Sequence, residues 1–164
     1  MLQGNIIIWN CRGICNGETQ SALLDLVRAR KPSLVFLSET LAPNEIIQKI
    51  CRAIGFKDFI CVPASPGSQG LALLWSDDTH VQHRTSSSHH IDADVGIPGE
   101  HVLWRFTGIY GRGERVHTWN LIRSLAAEGC TLPWLMAGDF NEILSNADKS
   151  GGPPRAQGPM QASR

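Results

Sequence analysis

Net charge of either sign is missing from this sequence. Its 164 residues carry 15 Lys plus Arg against 15 Asp plus Glu, so no overall positive field marks a nucleic-acid binder, although a local basic rim suffices for that role. Apolar runs of membrane-spanning length are also missing, and no signal peptide precedes the first apolar stretch at Ile6. The expectation is a soluble intracellular protein with no membrane partner. Internal repeats are absent. Cysteine occurs, but as an odd number at irregular spacings: Cys11, Cys15, Cys51, Cys61 and Cys130. That pattern reads as reduced, mostly buried thiols rather than a disulfide framework. Cys11-x-x-x-Cys15 finds no second Cys/His pair of matching spacing, which argues against zinc. The length fits one domain able to bury a sizeable core.

What is present is an alternation of short apolar runs and helical patterns. Ile6–Trp9 and Leu34–Leu37 are continuously apolar, as expected of strands buried on both faces. Between them, Glu18 to Arg30 places Leu23, Leu24, Leu26 and Val27 at helical spacing, and Lys31-Pro32 ends the run. Pro43 to Ile54 reads as a second helix, with Ile46, Ile47 and Ile50 on its inner face and Gly55 at its end. Phe59–Val62, Leu71–Trp75 and Val102–Phe106 follow as strands, the last two separated by a polar stretch around Ser86–Gly99. A helix over about Val116–Glu128 leads to a strand at Trp134. The order βαβα followed by antiparallel β-structure defines an α/β domain. Ser150–Pro159 reads as a loop, and Met160–Arg164 as the first turn of a helix.

The most informative stretch is Gly138-Asp139-Phe140-Asn141, which closes the apolar run Pro133–Ala137. Residues two apart in a strand share a face, so Asp139 and Asn141 are expected side by side, with Phe140 turned back to the core. Three other strands also end in a polar group: Asn10 after Ile6–Trp9, Glu39 after Leu34–Leu37, and Tyr110 after Thr107-Gly108-Ile109. Each alone has an ordinary explanation: a solvated acid, a turn-forming Asn, a half-buried ring. Nothing about turns requires compatible chemistry at four strand ends, and strand ends are where sites assemble in open α/β sheets.

Together these groups suit a phosphodiester. Glu39 offers a hard carboxylate to Mg²⁺, which prefers one or two protein carboxylates, waters and phosphate oxygens. Asp139 is placed to orient or deprotonate an attacking water. Asn10 and Asn141 add neutral amides that hydrogen-bond a phosphate or orient Asp139, and Tyr110 offers a hydroxyl to a non-bridging oxygen. The histidines His80, His83, His89, His90, His101 and His117 fall in a hairpin, a strand and a helix start, and His89-His90 is expected to be solvated.

Five ordered motifs carry a resemblance: Trp9-Asn10-Cys11-Arg12-Gly13, Leu37-Ser38-Glu39-Thr40, Gly70–Trp75, Thr107-Gly108-Ile109-Tyr110-Gly111 and Gly138–Leu144. The sequence resembles the endonuclease/exonuclease/phosphatase superfamily, in wording most similar to the amino-terminal endonuclease domain of plant non-LTR (LINE-type) retrotransposon polyproteins. Lys149-Ser150-Gly151-Gly152, Arg155 and Met160 extend the resemblance. It implies a four-layered, DNase I-like α/β sandwich and phosphoester cleavage dependent on Mg²⁺ or Mn²⁺. DNA is then the partner, nicked to prime reverse transcription, and a functional retroelement product would work in the nucleus. Position by position, Glu39 resembles the metal ligand, Asp139 and Asn141 the pair around the nucleophilic water, and Asn10 and Tyr110 the supporting polar groups.

The family's later Asp and its Ser-Asp-His element have no counterpart here, so the expectation is a partial domain over 1–164, with 145–164 a loop and the start of a truncated helix. The second sheet is then expected to be incomplete, leaving the first sheet's inner face without a partner layer and the chain insoluble or molten. Three readings stay open: a metal-dependent nuclease domain, a non-catalytic or binding-only remnant, and a phosphatase acting on another phosphoester.

Overall fold

The computed structural model describes residues 4–141. Along the chain run β1 (Asn5–Asn10), α1 (Gly17–Arg30), β2 (Pro32–Ser38), α2 (Asn44–Ala53), β3 (Asp58–Val62), β4 (Leu71–Trp75), β5 (His80–Ser87), β6 (His90–Gly96), β7 (Val102–Tyr110), α3 (Arg115–Ala126) and β8 (Trp134–Asp139). They form two four-stranded mixed sheets, ordered β1-β2-β4-β3 and β5-β6-β7-β8. In the first, β1 and β2 are parallel while β4 runs antiparallel to both β2 and β3. In the second, β5, β6 and β7 are antiparallel and β8 joins β7 in parallel.

Local chemistry explains the helices. Asn16 caps α1 by accepting the Thr19 N–H at 2.8 Å, and Lys31, in the left-handed region at φ 46°, ends it. Leu23 and Val27 of α1, with Ile47, Ile50 and Cys51 of α2, pack on Val35, Leu37, Ala72 and Leu74 of the first sheet. The opposite faces of β2 and β4 supply Leu34, Phe36, Leu71, Leu73 and Trp75, which meet Ile91, Ala93, Val95, Phe106 and Tyr110 of the second sheet. The rings of Phe36 and Phe106 cross edge to face at 5.9 Å between centroids. Helix α3 covers the far face, where Arg105 donates to the Leu125 carbonyl at 3.2 Å. The layers are helix, sheet, sheet, helix: the four-layered α/β sandwich.

Several expectations are corrected. The inner face of the first sheet has its partner layer, because β5–β8 all lie within the described chain; the premise for a molten chain is gone. The polar stretch around Ser86–Gly99 is largely strand. Ile91, Ala93 and Val95 alternate toward the inter-sheet core while Asp92 and Asp94 take the opposite face, and Arg105 neutralises the buried Asp92 with contacts of 2.7 and 2.9 Å. Such a strand averages to polar while keeping strict two-residue alternation. Among the described residues, β1 and β8 lie at the edges of their sheets rather than between two strands, and Ile8 and Leu135 are exposed there.

Helix α3 stops at Ala126, two residues before the expected end. All five cysteines are free, but only Cys11 and Cys51 are buried; Cys15 is exposed. His90 is buried, not solvated, between the Thr85 and Ser87 hydroxyls at 2.9 and 2.7 Å. The expected loop and helical turn beyond residue 145 lie outside the described residues. Among those residues, no helix is long and apolar enough to cross a membrane.

Candidate active site

The two sheets are stacked so that β1, β2, β7 and β8 end at one mouth. Asn10 is the last residue of β1 and lies beside Ser38, the last of β2; Tyr110 and Asp139 pair at the ends of β7 and β8. Four of the five expected residues then join in two cross-sheet contacts. The Tyr110 hydroxyl donates to Glu39 Oε1 at 2.7 Å, and Asn10 Nδ2 donates to Asp139 Oδ2 at 2.9 Å. Each bond links residues far apart in sequence, so only the stacking of the sheets assembles them.

Glu39 sits in the left-handed backbone region, φ 51°, a conformation that a non-glycine residue holds only when its surroundings impose it. Those surroundings are the loop after β1. Gly13 N–H donates to the Glu39 carbonyl at 2.7 Å and Ile14 N–H to the Thr40 carbonyl at 2.9 Å, while Thr40 N–H donates to the Gly70 carbonyl at 3.1 Å. Cys11 Sγ lies 3.4 Å from the Ser38 carbonyl, and burial pushes its thiol up to about 11. That thiol is a packing group, not a nucleophile.

Asn141 is positioned differently from the strand argument. β8 ends at Asp139, and Asn141 has turned to φ 52°. Its backbone N–H donates to Asp139 Oδ1 at 2.9 Å, and its side-chain Nδ2 donates to the Gly111 carbonyl. A turn, rather than shared strand periodicity, places it beside Asp139. Gly138 just before, at φ 149°, approaches Ile109 so closely that a Cβ there would overlap the Ile109 backbone. That close approach lets β8 lie against β7 up to the site.

Asp139 thus has both oxygens engaged by neutral donors. Glu39 has Oε1 engaged by Tyr110, and among the described residues no hydrogen bond takes up Oε2. Burial first, and then the Glu39 hydrogen bond, push the Tyr110 phenol up to about 12. It stays a protonated donor at neutral pH. Among the described residues, no three His, Cys, Asp or Glu side chains come together as a cage for a metal ion. The donor set, one carboxylate oxygen flanked by amides and a phenol, fits a hard ion that keeps most of its waters and takes the rest of its shell from a phosphate. It does not fit zinc.

Sequence reasoning missed His89. Its ring nitrogen Nδ1 lies 3.1 Å from the Tyr110 carbonyl, and the sequence signal that could have placed it was the Ile91/Ala93/Val95 alternation, which sets the register of β6 on β7.

Carboxylate, amide and phenol groups thus gather at one end of two stacked sheets in a four-layered α/β sandwich. The chain belongs to the Endonuclease/Exonuclease/phosphatase family, whose model matches residues 7–159. Among solved structures it is similar to the human Nocturnin catalytic domain with bound sulfate anion (TM-score 0.61, 18% identity, 84% of this chain and 64% of that one). It is also similar to the AP endonuclease LMAP from Leishmania major (TM-score 0.63, 15% identity, 90% and 58%). A third is D. rerio TDP2 complexed with single strand DNA product (TM-score 0.61, 15% identity, 84% and 60%). At these identities the similarity concerns the fold, and the chain spans less than two thirds of the length of each of these structures. No curated protein sequence matches the chain.

Proposed function

We propose that this chain carries the site of a Mg²⁺- or Mn²⁺-dependent phosphodiester hydrolase acting on DNA, of the kind found in the endonuclease domain of plant LINE-type retroelements, with nuclear DNA as its target. The observation that carries the reading is the pair of cross-sheet hydrogen bonds, Asn10 to Asp139 and Tyr110 to Glu39, at a single mouth. The motif wording around Asn10 and Asp139 favours the retroelement setting over a phosphatase, and the TDP2 structure with a DNA product lends the fold a nucleic-acid precedent.

The chemistry follows from the residues. A water hydrogen-bonded to Asp139 gives its proton to the carboxylate as its oxygen attacks phosphorus; the leaving oxygen departs on the opposite side with the bonding pair and takes a proton from solvent water. Asn10 holds the carboxylate by its Oδ2, so Asp139 keeps one orientation without a second negative charge beside it. The Tyr110 phenol keeps its proton and donates a hydrogen bond, to Glu39 in the free site or to a non-bridging phosphate oxygen, and the amides complete the donor array around the phosphoryl group. Glu39 would hold a divalent ion, whose positive charge would offset the charge that develops on the phosphoryl oxygens.

A binding-only chain is the second reading. The two are separated by testing this chain both alone and joined to the downstream half of a related domain. Calorimetric Mg²⁺ titration of the chain and of Glu39→Gln comes first: weak binding that the substitution abolishes is expected, and equal binding by both removes Glu39 from the site. Nicking of supercoiled plasmid then separates the readings. The 164-residue chain alone is expected to give none, and a fusion to the downstream half of a related domain is expected to nick in a way that Asp139→Ala abolishes. A folded fusion that never nicks sinks the hydrolase reading; nicking by the chain alone, lost in Asp139→Ala, sinks the binding-only one.

A further inference from the structure

The turn between β5 and β6 reaches the candidate site from the side. His90 pairs with Ile109 in the antiparallel ladder of β6 and β7, so the next rung sets His89 opposite Tyr110. One bond of that rung is ordinary: Tyr110 N–H donates to the His89 carbonyl at 2.8 Å. The reciprocal one is not. The His89 N–H is drawn into the turn, where it donates to Ser87 Oγ at 3.1 Å, and the His89 ring takes its place with Nδ1 at 3.1 Å from the Tyr110 carbonyl. A carbonyl only accepts, so the nitrogen facing it carries the proton, which sets the tautomer.

Tyr110 is the last residue of β7, and a strand end is where a ladder frays most readily. Its backbone is nevertheless held from two sides. His89 takes both its N–H and its carbonyl, and the next residue, Gly111, donates to the Asp139 carbonyl at 2.7 Å. The phenol lies at the far end of a long side chain, so a small rotation at the Tyr110 backbone moves the hydroxyl off Glu39 Oε1. Misplacement of a reacting group by about 1 Å costs on the order of 10²-fold in rate.

We propose that His89 is a positioning residue for the phosphoester site: its ring replaces the missing backbone donor of the last β6–β7 rung and thereby fixes the Tyr110 hydroxyl on Glu39. This rests on the reading of Tyr110 and Glu39 as members of that site. It assigns the β5–β6 turn a part in the site although the turn contributes no group to the mouth itself. Ser87 is the complementary part, because its hydroxyl accepts the His89 N–H and also meets His90 Nδ1 at 2.7 Å.

The test does not depend on turnover. Tyr110 is the only tyrosine in the sequence, so the chain labelled with ¹³C at the tyrosine ζ carbon gives one resonance that reports the hydroxyl's hydrogen bond. Glu39→Ala marks the position of the resonance when that bond is lost. His89→Ala is expected to move it by more than half of that difference, and His89→Asn, whose carboxamide donates to a carbonyl, is expected to bring it back toward wild type. His89→Leu keeps bulk without a donor and serves where the alanine variant does not fold; it is expected to shift the resonance as His89→Ala does. A resonance unmoved in the folded donor-less variant, while Glu39→Ala shifts it, overturns the role of His89 and leaves the site reading standing. A resonance unmoved by Glu39→Ala shows that the Tyr110–Glu39 bond is not made, and removes both.

Discussion

Asn10 donates to Asp139 Oδ2 at 2.9 Å, and the two residues terminate strands of different sheets, β1 and β8. This bond ties the first residues of the fold to the last ones described, and it sets the orientation of the carboxylate that the proposed chemistry needs as its base. In the nicking-competent fusion, Asp139→Asn keeps an oxygen that accepts from Asn10 but removes the base, and is expected to lower kcat by about 10²–10⁴-fold, the range a general base contributes. Asn10→Ala leaves the base and frees its orientation, so its loss is expected to be smaller. Steady-state nicking rates at saturating Mg²⁺ check the order, and an Asn10→Ala loss as deep as that of Asp139→Asn would mean that orientation, not proton transfer, is the role of Asp139.

The second sheet is held to α3 by a buried ion cluster. Arg105 and Asp92 are both fully buried and paired at 2.7 and 2.9 Å, Thr107 donates to Asp92 at 2.7 Å, and Arg105 stacks on Trp134 at 4.4 Å. Burial alone would raise the Asp92 carboxyl, but the Arg105 and Thr107 hydrogen bonds and the nearby guanidinium charges hold it below its ordinary value. Removing one partner leaves an uncompensated buried charge, so Asp92→Ala is expected to cost about 3–5 kcal/mol. The double variant Asp92→Leu/Arg105→Met removes both charges and is expected to be more stable than Asp92→Ala. Urea unfolding of the three proteins measures it.

Acid should act on the β5–β6 hairpin before it reaches the carboxylates. Burial holds the His90 imidazole below its ordinary 6.5, with the Asp92 charge acting in the opposite direction and His83 and His89 adding to the lowering. The unfolded chain therefore takes up a proton at His90 as pH falls through about 6.5 while the folded chain resists it. Stability from this group is complete above that value and declines below it. His90→Gln, which does not titrate, is expected to flatten the fall in melting temperature between neutral pH and the carboxylate range. An identical slope in both proteins would assign the acid sensitivity elsewhere.

Gly108 faces the first sheet, and a Cβ there would overlap the ring of Phe36, itself fully buried. Gly108→Ala is expected to destabilise by about 1–3 kcal/mol through overpacking. Phe36→Leu should recover part of that loss in the double variant, a non-additivity expected only for residues in contact. Additive losses in thermal unfolding would place the strain away from Phe36.

Residue order alone carried the α/β class, the two helices α1 and α2, and the candidate residues Asn10, Glu39, Tyr110, Asp139 and Asn141. Each of those residues follows or closes an apolar run, and such runs are legible because burial on a sheet demands them locally. The strand β6 was not legible as an average, since Asp92 and Asp94 make it polar until Arg105 and Arg84, from neighbouring strands, supply their counter-charges. His90 was misjudged for the same reason: its burial depends on Thr85 and Ser87 across a hairpin turn.

Sequence spacing also placed Asp139 and Asn141 on one strand face, whereas the backbone turns at Asn141 and reaches the same neighbourhood by another route. The partnerships were decided by tertiary structure. Glu39 and Tyr110 lie 71 residues apart, and Asn10 and Asp139 lie 129 apart. Their contacts come from two sheets stacked through Phe36, Phe106 and Leu73 with strand ends at a common mouth. Local propensity specifies which residues end a strand, but long-range burial alone specifies which strand ends meet.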